Sequence, residues 1–182
     1  MIIEPAQPYW PSHFRVKFAV GVWEQAQCAA LRRHVFSTEQ GIFADDDRDA
    51  IDAHAIPIAA LSMVGVAADA VVGTVRIHET PDVPGEWWGS RLAVAQGYRR
   101  IGALGAGLIR VAVSSAHARG CTRFLAHVQS ANAAMFQALH WTSLDEVSLH
   151  ARPHHLMQAD LAHYPPMHDP EHGLVTLLRR AA

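Results

Sequence analysis

The sequence predicts an α/β fold, one mixed sheet with helices on its faces. Two observations predict it. Segments with the two-residue period of strands alternate with segments of helical period, separated by glycine and proline breaks. At 182 residues and 50% apolar content, the chain can bury one substantial core and is short for two, so a single domain over 1–182 is expected.

The elements follow in order. Phe14, Val16, Phe18 and Val20 alternate with Arg15, Lys17 and Ala19, the pattern of a half-buried strand that Gly21 ends. From Trp23 to about Glu39, Cys28, Leu31 and Val35 share one helical face. Gly41 to Asp52 carries five aspartates, and like-charge repulsion predicts a solvated loop. Ile58 to Val66 and Val71 to His78 read as paired strands around a turn at Ala67-Ala68-Asp69-Ala70, with Pro81, Pro84 and Gly85 breaking the chain before a strand from Glu86 to Val94. Gly102 to Arg119 is a helix with Leu104, Leu108, Val111 and Ser115 on one stripe, stopped by Gly120. A strand from Thr122 to Gln129 follows, then a short helix from Ala131 to Leu139 with Ser130 as cap, and closing strands Leu144 to His150 and His154 to Asp160.

Bulk properties narrow the function. Fifteen Lys+Arg nearly cancel 17 Asp+Glu, so no global field favours nucleic acid or an anionic membrane, and any anion site must be local. Cys28 and Cys121 form no CxxC, which fits a reducing, cytoplasmic setting. Met1 to Trp10 lacks a basic region followed by an apolar run, so no signal peptide is expected there. Pro57, Ser62 and Asp69 interrupt the apolar stretch Ile56 to Gly73, which favours strands over a membrane span.

The most informative segment runs from Leu92 to Leu108. A strand ending at Val94 feeds Gln96-Gly97-Tyr98-Arg99-Arg100-Ile101-Gly102-Ala103-Leu104-Gly105-Ala106-Gly107 and then a helix. Such a turn presents free backbone N–H groups and the positive end of the helix dipole, and small residues let a phosphate approach them. The alternative is packing glycines beside two solvated arginines. A P-loop is excluded because no Lys-Ser or Lys-Thr follows the glycines, and the spacing is not the dinucleotide fingerprint.

Leu92-Ala93-Val94 followed by Arg99-Arg100-Ile101-Gly102-Ala103 resembles the signature of the GNAT N-acetyltransferases, whose turn reads Gln/Arg-x-x-Gly-x-Gly/Ala; Arg99 and Gly102 fit and Leu104 does not. Asn132, Phe136, Leu139 and Trp141 resemble the family's Asn-containing helix before a final hairpin. Arg32 to Gln40 is similar to a branch with an R-x-x-V-F-x-x-E-Q start, and Arg152-Pro153-His154-His155-Leu156-Met157 to its G-x-P-H-x-x-M close, with Ala151 at the glycine. The chain also resembles GNAT members encoded beside nitrilases in bacteria.

The resemblance implies a mostly antiparallel sheet with helices on both faces and a splayed central strand pair. It implies acetyl-CoA, or another acyl-CoA, as co-substrate and a small-molecule amine as acceptor. Leu92, Ala93, Val94, Arg99, Arg100, Ile101, Gly102, Ala103, Leu104, Gly105, Asn132 and Phe136 would hold the co-substrate, and the Val94 N–H would stabilise the oxyanion. Direct attack of an amine on a thioester also needs a base, for which His127 and His154 are preferred over His78, Glu79 and Glu86. Phe136 stands where many relatives carry an acid tyrosine, leaving water, His127 or Cys121 as substitutes.

Arg76 and Arg91 are candidates to hold a substrate carboxylate, the alternative being ion pairs with the acidic loop. Of Trp87 and Trp88, one faces the acceptor and the other is core or a homodimer contact; Trp88 is taken as the substrate residue. The histidines from His150 to His172 lack an HExxH pairing and a nearby cysteine, so no metal is expected. The Arg32 to Phe36 start with the acidic loop also resembles acyl-homoserine lactone synthases, which implies an acyl-carrier-protein donor and S-adenosylmethionine as acceptor; Arg99-Arg100 favours free CoA. A non-catalytic acyl-CoA sensor is the third reading.

Overall fold

The computed structural model describes residue 11 and residues 13–177; the signal-peptide reading of Met1 to Trp10 lies outside these. The elements are β1 His13–Phe18, α1 Val22–Arg33, β2 Ile56–Val64, β3 Ala67–Glu79, β4 Glu86–Val94, α2 Gly102–His117, β5 Arg123–Gln129, α3 Ala133–Ala138, β6 Trp141–Leu149, β7 Arg152–Ala159 and β8 Leu174–Leu177. They form a mixed sheet in the order β6-β7-β5-β4-β3-β2-β1-β8. Only β4 and β5 pair in parallel; the other described pairs are antiparallel.

Alternation along β2 places the helices. Ile58 and Ala60 pack in the cluster that contains Leu104, Leu108 and Val111 of α2, while Ala59, Leu61 and Met63 pack with Cys28 of α1. Residues one apart point to opposite faces, so α1 covers one face and α2 the other. Phe136 of α3 belongs to the α2 cluster. The predicted α2 stripe is buried in full, Ser115 included.

Several boundaries differ from expectation. The turn after β2 sits at Gly65-Val66 rather than at Ala67 to Ala70, because Gly65, at φ +59, takes the left-handed conformation a two-residue turn needs. The helix expected to run to Glu39 becomes a π-helix over His34–Glu39. Its wider turn brings both Val35 and Phe36 inward against Ala93. Ser130 does not cap α3: it opens a 3-10 turn, and Asn132 is the N-cap, without a side-chain cap bond. The closing hairpin turns at His150 and Ala151, both left-handed, and so begins earlier on each side than expected. Strand β8, antiparallel to β1, has no counterpart in the sequence reading.

The acidic loop is solvated only in part: Asp45 and Asp49 are exposed, but the loop is pinned to the sheet. Asp47 is fully buried, its Oδ2 accepting from Arg32 Nε at 2.7 Å and Arg91 Nε at 3.0 Å. Arg76, also buried, donates to both oxygens of Asp49 at 2.8 and 2.7 Å and pairs with Asp52 at 2.7 Å. Arg32 takes Asp52 at 2.6 and 3.1 Å. Three arginines from α1, β3 and β4 thus neutralise three aspartates and dock the loop on the sheet.

This network fixes an acid sensitivity. Hydrogen bonds from Arg76 hold the Asp49 carboxyl below the ordinary carboxylate range. Burial works in the opposite direction at Asp52, but bonds from Arg32 and Arg76 outweigh it and hold that carboxyl well down. A group depressed on folding contributes its full stability above its unfolded pKa, about 3.9, and loses it as pH falls toward the folded value. Urea unfolding is therefore expected to give level stability from pH 7 to about 5 and a decline below about 4. Asp52→Asn should be less stable at pH 7 and show a shallower acid decline.

Candidate active site

The β4–β5 ladder pairs Glu86 to Gly89 with Arg123 to Ala126 and then stops. Immediately beyond, β4 carries a bulge. Thr74 faces Ala93 while Arg76 faces Ser90, so Arg91 and Leu92 together oppose Val75. Arg91 takes φ +56, a conformation that costs a non-glycine residue about 1–3 kcal/mol. Its bonds to Asp47 and its guanidinium 4.6 Å over the Phe43 ring offset that cost. A bulge bends its strand, and β4 leaves β5.

The gap exposes one backbone donor. Ala95 N–H bonds to Val72 O at 2.9 Å, so in the alternation of an antiparallel ladder the next pair, Gly73 with Val94, points its N–H and C=O groups outward. The Val94 carbonyl accepts from Arg99 Nε at 2.9 Å. Its N–H is aimed across the gap, where β5 has withdrawn.

A cavity of about 540 Å³ runs through the opening. On the α2 side its wall is apolar, with Leu92, Val75, Ile109, Val113, Phe124 and Phe136. On the α1 side it is mixed, with His78, His127, His150 and His154 beside Phe36, Ile42 and Phe43. Trp88 lines this side, its ring 5.1 Å from that of His127, whereas Trp87 is core.

His127 and His154 lie on one face of the sheet. Gln129 pairs with His154 across β5 and β7, and His127, two residues along, is its diagonal neighbour. Burial, and then the neighbouring His154, hold His127 below the ordinary imidazole range. His154 Nδ1 lies 2.9 Å from the Arg152 carbonyl. A carbonyl only accepts, so Nδ1 carries the proton and Nε2 of the neutral ring keeps a lone pair. The two end motifs meet here: Arg152 donates to Gln40 O at 2.5 Å, and Gln129 to Gln40 Oε1 at 3.1 Å.

Of the tyrosines, Tyr98 packs edge-on against Phe14 and Tyr164 is bound to Trp141 and to the Leu139 carbonyl; neither lines the cavity. Phe136 is buried edge-on against Trp141. Cys121, named as a substitute acid, is core, and burial pushes its thiol up to about 11. Asn132 lines the cavity.

At the turn, Ile101 gives α2 no side-chain cap, and Leu104 N–H bonds back to Ile101 O at 2.9 Å. The N–H groups of Gly102 and Ala103 are left pointing out of the helix end. A Cβ on Gly97 or Gly102 would meet nothing within 4 Å, so the approach is open. Arg100 is exposed. Arg99 is ion-paired with Glu39.

Three expected contacts need correction. Leu104 is wholly buried in the core with its N–H bonded, so it has nothing to offer a ligand. The Ala93 side chain is buried against Val35 and Phe36, leaving only its backbone. Arg76 is occupied by Asp49, Asp52 and Ser90, and Arg91 by Asp47 and Asp49. The charges of both are cancelled by the acidic loop, not held free for a carboxylate. Among the described residues, no three His, Cys, Asp or Glu side chains converge as a metal site would require.

A family model described as the acetyltransferase (GNAT) family matches residues 25–141. No curated protein matches. Among solved structures, the chain is similar to a proposed N-acetyltransferase from Lactobacillus plantarum, at 22% identity and TM-score 0.70, over 80% of this chain and 97% of that one. It is similar to Escherichia coli ElaA at 18% identity and TM-score 0.67, over 81% and 98%. It is also similar to FeeM, an N-acyl amino acid synthase from uncultured soil microbes, at 10% identity and TM-score 0.64, over 85% and 95%.

Glu39 pairs with Arg99 at the turn before α2 and offsets its charge, which bears on the anion binding expected of that turn. Glu39→Gln is expected to tighten binding of inorganic pyrophosphate severalfold at low salt, with the gain shrinking as ionic strength rises; isothermal calorimetry reads both.

Proposed function

Because the chain belongs to the GNAT family of acetyltransferases, we propose that it moves an acetyl or short acyl group from acetyl-CoA to the amine of a small molecule by direct attack. The observation that carries this reading is the opened edge of β4, where the Val94 N–H faces the gap beside the uncapped start of α2. The residues present fit the co-substrate. Gly97 and Gly102 leave room for a diphosphate at the free N–H groups of Gly102 and Ala103, with Arg99 and Arg100 supplying charge. Leu92 and Asn132 line the cavity. A volume of about 540 Å³ is the size of a small-molecule site.

The thioester supplies an activated acyl carbon and a thiolate leaving group. The chain's own part is threefold. Val94 N–H donates to the acyl oxygen as negative charge grows there, a contribution of about 2.7–4 kcal/mol where such a donor is fixed in place. His127 or His154 takes a proton from the acceptor ammonium; His127, held low, is neutral at pH 7 and available as a base. The wall at Phe136 supplies no proton, which a thiol of pKa about 8.5 tolerates as a leaving group near neutrality. Trp88 and His127 border the acceptor, and the two buried free cysteines suit a reducing cytoplasm.

Phe136 also supports a second reading, a binder of acyl-CoA without turnover. Incubation with acetyl-CoA and a panel of small amines, with thiol release measured, separates the two. Transfer to one amine supports the enzyme; thermal stabilisation by acetyl-CoA with no transfer supports the binder. In the enzyme, replacing the acting base by Ala lowers kcat/KM about 10²–10⁴-fold. If His127 is that base, the wild-type rate climbs through a pKa below about 6.5, and this limb disappears in His127→Ala. Unchanged turnover in both His127→Ala and His154→Ala removes the histidine assignment.

A further inference from the structure

Resting on the acyl-CoA reading above, we infer that the acceptor is an amine that carries an aromatic ring and no carboxylate, seated against the α1 side of the cavity. Side chains there keep accessible surface. Trp88, Phe43 and Ile51 are half-buried, His127 and His150 are exposed, and all five line the cavity, whereas Phe124 and Phe136 of the α2 wall are closed into the core. An acceptor therefore meets ring surface on the α1 side.

The rings come in two pairs from four parts of the chain. On the sheet, the Trp88 indole of β4 lies 5.1 Å from the His127 ring of β5, at an interplanar angle of 37°. Phe43 of the acidic loop and His150 of the β6–β7 turn meet edge to face at 5.1 Å. Trp88 has little polarity to offer, because its Nε1 already donates to Glu86 at 3.2 Å. What remains is its π face, which favours a planar ring, offset or edge-on, over a saturated ring of the same size.

Charge supplies the second half of the inference. Among the described residues, Asp49, Arg76 and Arg91 are the only Asp, Glu, Lys or Arg side chains that line the cavity, and they are bound to one another. Arg76 Nη2 and Arg91 Nη2 reach Asp49 Oδ2 at 2.7 and 3.1 Å, and the other bonds of both guanidiniums include Asp47, Asp52 and Ser90. A carboxylate entering here would lose water and find no free cation, a cost that an uncharged ring does not meet. An aromatic amino acid is for that reason a poor acceptor, and the same amine without its carboxyl a good one.

Thiol release from acetyl-CoA at pH 8, where an imidazole of pKa about 6.5 is neutral, is measured with ethylamine, 2-cyclohexylethylamine, phenethylamine and phenylalanine. Burial of the phenyl ring should raise kcat/KM for phenethylamine at least about tenfold over ethylamine, and π contacts should raise it about two- to tenfold over 2-cyclohexylethylamine. Phenylalanine should fall at least about tenfold below phenethylamine. Trp88→Leu should draw the phenethylamine-to-ethylamine ratio toward one. Misfolding would lower both rates and leave the ratio, and Phe43→Leu then decides in its place. Equal kcat/KM of phenethylamine with ethylamine or with 2-cyclohexylethylamine overturns the aromatic acceptor and leaves acetyl transfer standing. Phenylalanine matching phenethylamine overturns the exclusion of a carboxylate. A ratio unchanged in both folded variants overturns the assignment to these rings. No release with any of the four overturns this inference, and the wider amine panel above then decides the transferase reading by itself.

Discussion

Asp47, with no exposed surface and held between Arg32 and Arg91, is the interaction on which the site depends. A buried ion pair contributes little net stability against a well-packed apolar alternative, but removing one partner costs about 3–5 kcal/mol. Its value here is positional. Arg91 sits in the left-handed region at the bulge of β4, and Asp47, with Asp49 and the Phe43 ring, secures it. Release Arg91 and the extra residue has no reason to stay in β4. The bulge then relaxes, β4 can continue along β5, and the Val94 N–H loses its open edge.

From that one distortion the site acquires two unlike sides. The sheet between α1 and α2 would otherwise separate them completely. Parting β4 from β5 brings a histidine-bearing surface on the α1 side next to the buried apolar side chains under α2. Val94, the donor in the proposed reaction, lies two residues beyond Leu92, which lines the cavity.

The Arg76 and Arg91 network also explains why the cavity has little net charge of its own from these groups. Three guanidiniums from α1, β3 and β4 face three carboxylates of a single loop, so the wall they form is rigid and electrically balanced. In the proposed reaction neither Arg76 nor Arg91 offers the acceptor a free positive charge.

The order of strands and helices from β1 to β7, the buried stripe of α2 and the glycine-bearing turn before it were determined by sequence alone, because each depends on residues two to four apart that report on their own backbone. The residues from Leu92 to Ala103 pointed to the family for the same reason, and the family model spans them. Tertiary structure decided what depends on distant partners. The aspartates from Asp45 to Asp52 repel one another when read along the chain, and only the sheet brings Arg76 and Arg91 beneath them. The bulge, the pairing of β8 with β1 and the π-helical turn before Glu39 arise from packing that no local period records. So did the fate of Leu104, whose neighbours in sequence suggested a ligand and whose neighbours in space are the core.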